Sequence, residues 1–79
     1  MNDLDEEIMI NSHQFLGIIL KKYGTDTEGL FKTSNLLCAM VTEFICSFNN
    51  REISEKLLTQ MINSIKGNME INLDARDKN

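Results

Sequence analysis

Seventy-nine residues with a net charge of −4 make one domain at most. An apolar fraction of 42% is that of a folded chain rather than a disordered one, and the absence of proline with only four glycines suits helices joined by short loops. An acidic balance, with Asp3, Asp5, Glu6 and Glu7 at the front and Asp74 and Asp77 at the tail, offers no broad attraction to nucleic acid or to anionic lipid.

The first predicted element runs from Asp5 to Tyr23. Ile8, Phe15, Leu16, Ile19, Leu20 and Tyr23 recur at three- and four-residue steps, the stripe of an amphipathic helix. Lys21 and Lys22 favour the negative end of that helix, and Gly24 is placed to terminate it. Glu6 and Glu7 complement the positive end rather than forming an acid–base pair. Ser12 and His13 are neighbours in sequence and so do not face each other on a helix; His13 reads as a surface residue.

Residues 25–33 read as a connection, with Asp26 and Thr27 as turn and cap residues. Within it lies Thr27-Glu28-Gly29-Leu30-Phe31-Lys32-Thr33-Ser34. A glycine turn there would let Leu30 and Phe31 anchor in a core while Lys32 points outward. Ser34 is the expected cap of a second helix ending near Phe48. Leu37, Val41, Phe44 and Phe48 form its stripe, and Leu36, Met40, Ile45 and the two cysteines widen it almost all round. A helix apolar on most faces is a central helix or one covered by a partner. This predicts a homodimer or larger assembly that buries part of residues 36–45.

Asn49-Asn50-Arg51 is a short polar link. Ser54 is the expected cap of a third helix with the stripe Leu57, Leu58, Met61, Ile62 and Ile65, stopped by Gly67. Met69, Ile71 and Leu73 alternate with polar residues, the pattern of a short strand or extended lash. The expected organisation is a single helical domain over 1–73 and a flexible tail over 74–79. The fold class is all-α, a small three-helix bundle with that short extended C-terminal segment.

Cys38 and Cys46, on one helix, stand roughly 12 Å apart along its axis, too far for a disulfide between them. They read as buried apolar thiols. With a single histidine and no Cys-x-x-Cys there is no zinc spacing, and no cofactor is implied. No signal peptide is evident, no apolar run spans a bilayer, and the expected compartment is the cytoplasm. Lys56 and Lys66 are offset by Glu52 and Glu55, so the third helix is a poor DNA reader.

Residues 15–52 resemble the first part of the Rho GTPase-activating protein (RhoGAP) domain. That all-helical family has a helix ending in glycine, a loop of the form teGIFR-x-SG, and a helix patterned V-x-x-L-x-x-x-F. Here Leu20-Lys21-Lys22-Tyr23-Gly24 is followed by TEGLFKTSN and then by Val41-Thr42-Glu43-Phe44-Ile45-Cys46-Ser47-Phe48. The resemblance implies a degenerate, truncated module that contacts a small GTPase. The position of the family's catalytic arginine is Lys32, a point charge that cannot reproduce the bidentate contacts of a guanidinium. The family glycine after the serine is Asn35, and everything beyond the third helix is missing. Glu28, Lys32, Leu36 and Met40 are therefore the expected partner-binding residues, with no catalytic residue and no metal ligand. The expected function is a non-enzymatic protein–protein interaction module that self-associates. The alternative is a small acidic helical accessory or inhibitor protein, of the size that viruses and mobile elements encode, acting as a homo-oligomer.

Overall fold

The computed structural model describes residues 3–77. Three helices account for nearly all of them: α1 (Asp3–Tyr23), α2 (Thr27–Cys46) and α3 (Arg51–Asp77). There is no strand among the described residues, so the all-α expectation holds, with the helix count of a small three-helix bundle. The chain divides into two compact units, Met1–Met40 and Val41–Asn79.

In the first unit α1 ends where the sequence predicts. Gly24 follows it with φ +93°, a left-handed conformation that a Cβ disfavours, and its N–H still donates to Leu20 O at 2.7 Å. Only Gly24, Thr25 and Asp26 separate the helices. Asp26, not Ser34, caps α2: its Oδ1 accepts from Gly29 N at 2.9 Å, and its backbone oxygen accepts from Leu30 N at 2.9 Å. Residues 27–33, expected as a loop, are thus the first two turns of α2. A carboxylate cap with an open path into the helix fixes the start seven residues before the serine.

The helical register reverses the expected burial of this segment. Gly29 and Thr33, four residues apart, are buried on α2, and Ile19 is the buried residue of α1. Leu20, Tyr23 and Leu36 are half-buried beside them. Leu30 and Phe31 do not anchor in a core: they lie on other faces of α2, with Phe31 66% exposed. At Gly29 a Cβ would fall 2.6 Å from Tyr23 O and closer still to Gly24 O, so only glycine permits the approach of α2 to the end of α1.

In the second unit α2 closes at Cys46, two residues before the expected end, by short backbone bonds from Ser47 N to Phe44 O and from Asn49 N to Cys46 O. Asn49 takes the left-handed conformation, φ 52°. Asn50 caps α3, its Oδ1 accepting from Ile53 N at 3.1 Å. Ser54, expected to be that cap, lies one turn inside α3, where its hydroxyl donates to Ile45 O at 2.6 Å and satisfies a terminal carbonyl of α2. Val41 and Ile45 of α2, with Ser54, Leu57 and Met61 of α3, are half-buried; no described residue of this unit is fully buried.

Gly67 does not end α3. The helix continues ten residues past it, through Met69, Ile71 and Leu73 and through the expected tail as far as Asp77. The extended segment is thereby corrected to helix. A lone strand has no ladder partner for its backbone groups, whereas a helix pairs them within itself. Residues 78 and 79 of the expected tail lie outside the described residues.

Candidate functional site: the exposed apolar helix faces

The four residues expected to meet a partner stand on one ridge of α2. Glu28, Lys32, Leu36 and Met40 follow at four-residue steps, each one turn above the last. The ridge is not uniform. Glu28 and Lys32 pair with each other, Oε1 to Nζ at 3.2 Å, with 76% and 55% of their side chains exposed. Leu36 is half-buried, and Met40 is exposed. Lys32 thus extends from a regular helix surface beside its own carboxylate partner, not from a loop. An exposed i,i+4 pair of this kind contributes about 0.3–0.5 kcal/mol.

Other polar groups are occupied locally. Ser12 Oγ donates to Met9 O at 2.9 Å and does not serve His13, which is exposed on α1. Glu52 meets Lys56 at 3.1 Å and Glu55 meets Arg51 at 3.7 Å, again one helical turn apart. Among the described residues no cluster of His, Cys, Asp and Glu could hold a metal ion. Cys38 and Cys46 are exposed thiols outside any disulfide, which corrects the expectation that they are buried. One hydroxyl is exceptional: Thr33 Oγ1 is buried and has no hydrogen-bond partner.

Large apolar side chains stand exposed on all three helices. In the first unit Leu4, Ile8, Ile10, Phe15 and Ile18 of α1 and Leu30 and Phe31 of α2 stand exposed. In the second unit Phe44 and Phe48 meet edge to face, with ring centroids 5.6 Å apart, and remain exposed. Ile62, Ile65, Met69 and Leu73 form an exposed stripe along α3. Each unit has a single helix–helix seam, and one seam covers only one side of an amphipathic helix. The apolar residues therefore exceed what the seams cover.

Sequence reading found the breadth of the apolar face of α2 but missed three features. Asp26 reads as a turn or cap residue of the connection, and what was missed is that it caps α2 itself, a role expected of Ser34. The close approach at Gly29 was legible as small residues at 29 and 33, a spacing that lets two helices near each other. On α1 the expected stripe is covered only at its C-terminal end: Ile19 is buried and Leu20 and Tyr23 are half-buried, while Ile8, Phe15 and Leu16 are exposed. No helix among the described residues is long and apolar enough to cross a membrane. No family model, curated protein or solved structure matches the chain.

Proposed function

We propose that the chain is a non-enzymatic protein–protein interaction module that works as a homo-oligomer in the cytoplasm, where its two exposed thiols stay reduced. One observation carries this reading: all three helices expose large apolar side chains, in rows as well as singly. Scattered exposed leucines are ordinary, but rows at helical spacing mark surfaces that another helix covers. Within residues 36–45 the expected assembly face is open, since Leu37, Met40 and Phe44 are exposed and Leu36, Val41 and Ile45 only half-covered.

The test is the molar mass in solution. Sedimentation velocity from low to high micromolar concentration is expected to give a multiple of 9.1 kDa. A monomer at every concentration would overturn the reading. The narrower form of this proposal is contact with a Rho-type GTPase through the ridge of Glu28, Lys32, Leu36 and Met40. Its support is the sequence resemblance together with the exposure of Lys32; such contact would need Lys32 to exchange Glu28 for an acidic or phosphate group on the partner.

A further inference from the structure

Building on the reading of the chain as a homo-oligomer, we infer that α1 pairs antiparallel with α1 of a second copy, with Asn11 on the two-fold axis. The row that would form this contact is Leu4, Ile8, Asn11, Phe15 and Ile18, all exposed. Its spacing of four, three, four and three residues is that of the seam of a coiled coil. The row runs along the exposed edge of the face that packs on α2, whose buried Ile19 stands one turn after Phe15. Leu4, Ile8 and Ile18 are 62%, 58% and 67% exposed, so α2 leaves them uncovered within the first unit.

Two properties of this row select a second copy as its occupant. The first is symmetry. About Asn11 the row reads apolar, apolar, polar, apolar, apolar. An antiparallel copy sets Leu4 against Ile18 and Asn11 against Asn11 over about 21 Å, with Ile8 and Phe15 facing each other at an offset of one residue, about 1.5 Å along the axis. Every apolar residue meets an apolar residue. The asparagine meets its own copy, and each amide donates to the other's carbonyl oxygen across the axis. A single polar residue within a coiled-coil seam fixes register in this manner.

The second property is charge. Asp3, Glu6 and Glu7 stand in the first turns of α1, and Lys21 and Lys22 in the last. Antiparallel pairing brings the acidic end of each copy beside the lysines of the other and opposes the two helix dipoles. A parallel pair, which the apolar row alone would also permit, sets acids against acids and lysines against lysines.

The experiment combines mass with cross-linking. Ile8→Glu and Ile18→Glu both change highly exposed residues, so helix content by circular dichroism should stay at the wild-type level. Sedimentation of either variant is expected to show at least a tenfold weaker association. In a Cys38→Ser, Cys46→Ser background, a mixture of Leu4→Cys and Ile18→Cys chains is expected to form the mixed disulfide under mild oxidation, with little Leu4→Cys self-linkage. Efficient self-linkage of Leu4→Cys, the mark of a parallel pair, would overturn the inference. So would unchanged association of both glutamate variants. In that case a wild type that still associates leaves the homo-oligomer reading standing on another face. A wild type that is monomeric overturns both.

Discussion

Gly29 is the position where one methyl group should decide how the first unit holds together. In Gly29→Ala the new Cβ would stand 2.6 Å from both Tyr23 O and Gly24 C. These are backbone atoms, so no side chain can rotate away and α2 must withdraw from the end of α1. Alanine is the better helix former by about 1 kcal/mol, which works in the variant's favour. Overpacking against fixed atoms costs about 1–3 kcal/mol and occasionally more, and a clash with backbone lies at the upper end. The expected net loss is about 2 kcal/mol, or roughly 8–16 °C in Tm for a chain of this size. Gly67→Ala is the matched control. Gly67 is in the middle of α3, and a methyl group added there would meet nothing within 4 Å, so the same substitution should raise stability by about 1 kcal/mol. Both are read by urea and thermal denaturation at one protomer concentration, because Tm in an associating protein depends on concentration. If Gly29→Ala stabilises the chain as Gly67→Ala does, the close approach of the two helices is wrong.

Thr33→Val should stabilise by about 1–2 kcal/mol in the same assay, because it keeps the shape and removes a buried hydroxyl that has no partner. Asp26→Ala should lose about 1 kcal/mol with the α2 cap, and Asp26→Asn, which keeps the accepting oxygen, should lose much less. Equal losses for the two would place the effect somewhere other than that hydrogen bond. In single-turnover GTP hydrolysis with a Rho-type GTPase, excess wild type should leave the rate near its intrinsic value. Lys32→Arg should not restore the roughly 10³–10⁵-fold acceleration of an arginine finger, since the side chain extends from a regular helix surface beside Glu28 rather than from a loop. Large acceleration by the wild type would overturn the non-enzymatic assignment, and binding that Lys32→Glu abolishes would support the GTPase contact.

The fold class and the end of α1 were legible because periodicity and a terminating glycine agree there. The start of α2 was not, because two good caps compete several residues apart and sequence gives no way to rank Asp26 against Ser34. That error carried the rest with it. Once residues 27–33 are taken as a loop, Gly29 looks like a turn glycine and Phe31 like an anchor. In the helix, a four-residue step buries Gly29 with Thr33 and turns Phe31 outward. Gly67 misled in the opposite way: a glycine inside a helix costs only about 1 kcal/mol, too little to stop one whose flanks continue it. Of the expected partner residues, the placement of Glu28 to Met40 on one ridge follows directly from their spacing. The pairing of Lys32 with Glu28 becomes visible only when that segment is helical.

The second half of α3 has a consequence for the speed and cost of recognition. From Ile62 to Asp77 no side chain is buried, and four turns of helix rest on their own hydrogen bonds and a mid-helix glycine. A free helix of that length is marginal in water, since nucleation is unfavourable and propagation adds little per residue. Its amides should therefore exchange with solvent far faster than those around Ile19 and Thr33, by local opening that leaves the remainder folded. Whatever covers Ile62, Ile65, Met69 and Leu73 must also hold the helix shut. Part of the contact free energy then goes into ordering the chain, which lowers affinity for a given area and gives the heat capacity of association a contribution from folding.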